Sequence, residues 1–173
     1  KTLSFNSVSS QYLNRTPGSD GNMKTWTWSA WIKRHKLGTV QYIFNAHETG
    51  VASRPQGIKF TAGDELNIFF DTGGSYGYQS TTNIFRDTNG ELQATASSGS
   101  AGTVPTLNQD GWVNDQTPHY IGTYAYNQTL SGDFSLSGVT FIDGQALEPS
   151  AFAHTSPETG AWVIEEPPVA EAV

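Results

Sequence analysis

Cysteine is absent from the 173-residue chain, which rules out a disulfide framework and any thiolate metal site. Basic residues are absent from its second half. All nine Lys and Arg fall within residues 1–86, beside five acids, whereas residues 87–173 carry eleven acids and no base. No apolar run approaches the roughly 20 residues that a membrane-spanning helix needs, and no charged-then-apolar leader opens the chain. No window carries the 3.6-residue stripe of a long amphipathic helix. With a net charge of −7 and basic residues spread out, a phosphate-binding surface is not expected, and neither nucleic acid nor membrane insertion is expected. The first residue is Lys1 rather than Met, which points to a processed chain or a segment of a longer one.

What the chain does have is aromatic side chains, glycine and short alternating runs. Hydrophobic residues make up only 36%, but aromatics reach 12%, and each buried ring removes a large area from water. At this length one domain with its own core is expected. The run from Lys24 to Arg34 alternates with period two. Trp26, Trp28, Ala30 and Ile32 share one face, and Thr25, Thr27, Ser29, Trp31 and Lys33 the other. Aromatic and β-branched residues in this rhythm suit a pleated strand with one face on a core. Trp26, Trp28 and Ile32 are therefore assigned to the core, with the Trp31 face open to a second role.

Further short strands are predicted at Leu3–Phe5, Ser10–Leu13, Tyr42–Ala46, Gln79–Ile84, Trp112–Asn114, His119–Tyr124 and Ser135–Ile142. Gly57–Phe60 and Glu65–Phe70 flank the turn Thr61–Asp64 and read as a hairpin. In the last strong strand, Leu136, Gly138, Thr140 and Ile142 alternate with Val139 and Phe141. Pro149–Phe152 is compatible with one helical turn. Residues 88–107 are small, polar and weakly patterned, an extended excursion or loop. The domain is placed at 1–164, with 165–173 an acidic, Pro-containing tail. About ten strands without helical crossovers predict an all-β, two-sheet antiparallel β-sandwich of jelly-roll or Greek-key type.

Three segments resemble a known family. They are Tyr12–Pro17 with Thr25–Arg34; Asn108–Gln109, Trp112–Asn114 and His119–Gly122; and Phe141–Phe152 with Thr159–Trp162. Together they are similar to the concanavalin A-like (laminin G-like) sandwich domains in virion proteins of tailed bacteriophages. The resemblance covers both ends of the chain. It implies a structural protein on the virion surface, with other virion proteins or copies of itself as partners and host surface polysaccharide as a ligand. It also implies that Phe141 and Trp162 belong to the core. The chain departs from the pattern at 88–107, where two strands of such domains are missing or replaced, so that either the sheet is smaller or another chain adds strands to an open edge.

Catalysis is not expected. Glycoside hydrolysis by the related glucanases needs paired carboxylates on a Glu-x-Asp-x-Glu strand, and no such triplet occurs. His35, His47, His119 and His154 lack ligand spacing, and His119 reads as a structural hydrogen-bonding residue. Asn108, Asp110, Asn114 and Asp115 offer oxygens of the kind Ca²⁺ accepts, but the same pattern makes turns, and no cofactor is expected. The glycan-binding candidates are Tyr76, Tyr78, Tyr124 and Tyr126, with Asn114 as a hydroxyl partner. Sugar C–H faces stack on aromatic rings, and amides bond hydroxyls. The alternative is that these rings pack over strand ends. The charge asymmetry between halves permits head-to-tail contacts between copies.

Overall fold

The computed structural model describes residues 1–47, 55–70, 78–82 and 110–165, with the side chains of 78–82 outside that description. Among these residues eleven strands follow in chain order: β1 (Thr2–Phe5), β2 (Leu13–Arg15), β3 (Trp26–Arg34), β4 (Gln41–Ala46), β5 (Gln56–Phe60), β6 (Leu66–Phe70), β7 (Tyr78–Thr82), β8 (His119–Ile121), β9 (Phe134–Asp143), β10 (Ala153–Thr155) and β11 (Trp162–Ile164). The helical element among the described residues is a single 3₁₀ turn, Pro149–Ala151. The chain is an all-β, two-sheet antiparallel sandwich. One sheet has the order β1-β9-β3, the other β2-β8-β4-β5-β6-β7, and β10 pairs with β11 as a separate ribbon.

Alternation decides which side chains enter the space between the sheets. From the smaller sheet come Phe5, Phe134 and Leu136; from the larger come Ile43 and Phe60, with Trp28, Ala30, Ile32 and Ile121 packed against them. A second cluster of Phe44, Ala46 and Val113 is covered by Trp26, Trp28 and Trp112. Trp28 lies almost parallel to Phe44 with centroids 5.7 Å apart, and Trp26 stacks on Phe141 at 6.0 Å. Arg34 ends the inward row of β3. Its guanidinium sits 4.0 Å from the Phe60 ring centroid and donates to Asp64 at 2.7 Å, so the ring screens a charge that is already paired.

In β9, strict alternation fails. Between the pairs Ser29↔Thr140 and Trp31↔Ser137 the register slips by one residue, and Gly138 takes a left-handed φ of +60°. This β-bulge turns Phe141 to the same face as Leu136, and Ile142 to the outer face, where it is buried. The expected split of Leu136 from Phe141 is thereby corrected: a bulge resets the parity that the sequence alone suggests. Trp31 and Ile164 both approach Gly138 on that outer side, so the Trp31 face is covered by the β10–β11 ribbon. Two other expectations shift. Trp112–Asn114 and the stretch beyond Ile121 are turns rather than strands, and the second strand begins at Leu13. Residues 88–107 and 166–173 lie outside the described residues.

Candidate functional site

The strands of the larger sheet carry a second row of side chains on the face turned away from the smaller one. Tyr42, Lys59 and Asn67 stand opposite one another across β4, β5 and β6, and Asn45, Gly57 and Phe69 form the adjacent row. Gly57 is required there. A Cβ on it would lie 2.2 Å from the Phe44 carbonyl oxygen and 2.6 Å from the Asn45 Cβ. That gap leaves Asn45 room to work as a clamp. Its amide nitrogen donates to Thr123 O at 2.8 Å, and its oxygen accepts from the Ala125 N–H at 2.7 Å. Asn45 is fully buried, so both bonds form away from water and hold the 123–125 turn against β4.

The clamp sets the two tyrosines that flank Ala125. Tyr124 stacks on Tyr42 with centroids 4.4 Å apart and 22° between planes. Tyr126 meets His47 edge-on at 5.7 Å and lies 6.0 Å from Tyr124. Both are half-buried, above a buried layer of Tyr42, His47 and Phe69. Lys59 places its ammonium 5.4 Å from the Tyr42 centroid and 5.0 Å from that of Phe69. Burial lowers its pKa, and the two ring faces offer partial compensation. Beside it Asn67 is 1% exposed, and neither polar atom of its amide has a hydrogen-bond partner. A carboxamide buried without partners is destabilising, by about 1–3 kcal/mol, and such groups call for a reason.

Asn114 is used differently. It adopts a left-handed φ of +72° in the turn before β8. Its carbonyl accepts from Gly21 N–H at 2.8 Å, and its amide nitrogen donates to Asp143 and to Asn22 O. Asp143 also accepts from Asn22 N–H at 2.8 Å. The backbone N–H of Asn114 donates to His119 Nε2 at 2.8 Å, while His119 Nδ1 donates to Thr117 O at 2.8 Å. Both ring nitrogens are thus engaged in the neutral tautomer. Burial first, and then the Arg15 charge, push the His119 pKa down against the opposing Thr117 bond. This latch closes one end of the sandwich beside a cavity of about 420 Å³ between the sheets, with Leu13, Arg15, Phe44, Ile121 and Phe141 in its walls.

The structure brings Tyr124 and Tyr126 together and holds Asn114 apart in the latch. Tyr78 begins β7 opposite Phe70, with its side chain outside the description, and Tyr76 lies outside the described residues. Trp26, Trp28 and Ile32 face inward with Phe141, which remains 39% exposed where the cavity opens. Trp162 is half-buried in β11, paired with Thr155. Tyr42, Asn45, Lys59, Asn67 and Phe69 were missed from sequence. The signal that could have found them is the period-two alternation of β4, β5 and β6, which groups them on one face without telling what covers it.

Among the described residues no group of three His, Asp or Glu is placed to hold a metal. Asp110 pairs with Lys24 at 3.4 Å, and Asp115 accepts from the next backbone N–H. No helix among them is long and apolar enough to cross a membrane. Comparison with known protein families, with curated proteins and with solved structures returns no match.

Proposed function

We propose that this is a non-enzymatic virion protein of a tailed bacteriophage, a lectin-like module of concanavalin A-like, jelly-roll type displayed on a fibre, appendage or capsid surface, where it engages host surface glycan. The viral part of the reading rests on the resemblance of Tyr12–Arg34, Asn108–Gly122 and Phe141–Trp162. The glycan part rests on the half-buried Tyr124–Tyr126 pair. These rings are fixed from behind by Tyr42, His47 and the Asn45 clamp. A sugar stacking on them does not have to order them first, which favours affinity.

A glycan array with the full chain tests this. Binding that Tyr124→Ala/Tyr126→Ala abolishes supports attachment, while Asn67→Leu, which removes a buried unpaired amide, should leave binding unchanged and raise stability by about 1–3 kcal/mol. Tyr76→Ala/Tyr78→Ala reports on the two remaining tyrosines. The second reading is a structural decoration or cement module that contacts neighbouring subunits and binds no sugar; a blank array with folded protein favours it. Its copy number in an intact particle then separates many regularly spaced copies on capsomers from a few at the tail.

A further inference from the structure

The smaller sheet runs out before the larger one does. β1 pairs with β9 over Phe134–Ser137, whereas β3 follows β9 on its other side as far as Asp143. Beyond Ser137, β9 therefore has a strand neighbour on one side only among the described residues. Successive residues of an antiparallel strand aim their N–H and C=O groups to alternate sides. The stretch 139–143 thus leaves about half of its peptide groups facing an edge that no described residue pairs with. Such edges are templates for a further strand.

A second observation lies directly below. Where β1 stops, β2 and β8 continue underneath, and the uncovered space is the cavity of about 420 Å³ walled by Leu13, Arg15, Phe44, His119, Ile121 and Phe141. Leu13 is 47% and Phe141 39% exposed at its mouth. The whole of β2 is exposed, as expected of a strand whose opposing layer is incomplete. Edge and cavity are in line: a strand laid along β9 on the β1 side sends every second side chain down between the walls.

We infer that the open edge of β9, residues 139–143, together with the cavity beneath it, accepts an extended strand from another protein, apolar at alternate positions and carrying a carboxylate where it passes Arg15. The backbone geometry specifies an extended peptide, since only a strand both pairs with β9 and fills the cavity from above. The walls specify apolar side chains. The charge follows from Arg15, which is exposed and makes no ion pair among the described residues. His119 offers no competing charge, because both of its nitrogens are already engaged. This inference does not depend on glycan binding, which uses the opposite face of the larger sheet.

The test uses the full chain and a fluorescein-labelled peptide, Thr-Val-Thr-Val-Thr-Glu, read by anisotropy and by amide hydrogen exchange. Saturable binding is expected, with slowed exchange at residues 139–143. Arg15→Glu, an exposed substitution that leaves the fold intact, weakens binding about tenfold. The same peptide ending in Lys restores binding to that variant. No saturation by about 1 mM with folded protein overturns the inference. So does protection confined to the β3 edge, or equal binding of a peptide with proline at both valines, which reports a hole for small apolar groups. Protection of 139–143 that rises with protein concentration alone also overturns it, because a second copy then occupies the edge.

Discussion

His119 uses both nitrogens of its ring. Its Nε2 accepts the Asn114 backbone N–H while its Nδ1 donates to Thr117 O. Protonating Nε2 turns an acceptor into a second donor and breaks the bond that closes the latch. Burial, the largest influence, depresses the folded-state pKa below the unfolded value, so as pH falls the unfolded chain takes the proton first. Stability is full above about pH 6.5 and declines below it, by up to about 1.4 kcal/mol per pH unit. Urea unfolding at successive pH values checks this, and His119→Gln should flatten the slope below about pH 6.5. Asp64 titrates in a separate window. The Gly38 N–H and the Arg34 side chain lower its pKa, so its contribution persists down to the ordinary aspartate range and is lost only below it. Asn114 shows the same economy of use: an Asx residue that looked available for hydroxyls commits its side-chain nitrogen to Asn22 and Asp143 and its backbone carbonyl to Gly21.

At the scale of the element, β9 is the strand on which the smaller sheet depends, because it pairs with β1 and β3 and its bulge sets which residues enter the core. Gly138 makes the bulge at φ +60°, and the space around an added Cβ is open, with the nearest atom, Trp31 Cδ1, at 3.6 Å. Gly138→Ala therefore destabilises through backbone strain rather than collision, by about 1–2 kcal/mol, measured as a lower urea midpoint with an unchanged m-value. A larger loss would mean that the bulge straightens and turns Phe141 away from Trp26 and Phe44. The Trp strand β3 is the partner that reads this parity. Its alternation was legible locally because period two requires only neighbours in sequence, and the β5–β6 hairpin was legible for the same reason, helped by the Thr61–Asp64 turn.

Across the whole molecule, segments far apart in the sequence are built into one core. Phe5 of β1 packs on Phe134 of β9 with centroids 5.3 Å apart, and it is 5% exposed. Phe5→Ala should cost about 3–5 kcal/mol, read by urea denaturation. Tryptophan fluorescence and far-ultraviolet circular dichroism should give coincident transitions, since neither sheet keeps a core without the other. The same topology redistributes charge. The basic and acidic halves of the sequence interleave in space, with β9 between β1 and β3 and β8 between β2 and β4, and Lys24 reaches Asp110. Among the described residues, the sharp segregation along the chain is thus not a segregation between two poles of the fold.

The sequence by itself determined the strand class, the hairpin, the inward set of Trp26, Trp28 and Ile32, and the lack of paired carboxylates, because each is written in spacing or residue type within a few positions. Only the tertiary structure decided which strands lie side by side, that Tyr124 and Tyr126 are mounted on Tyr42 and His47, that Asn114 closes a latch, and that β1 stops short and leaves an edge above a cavity. Those outcomes join residues tens of positions apart, and a local period carries no information about such a meeting. A glycine that forms a bulge and one that merely ends a turn are the same letter; the neighbouring strand tells them apart.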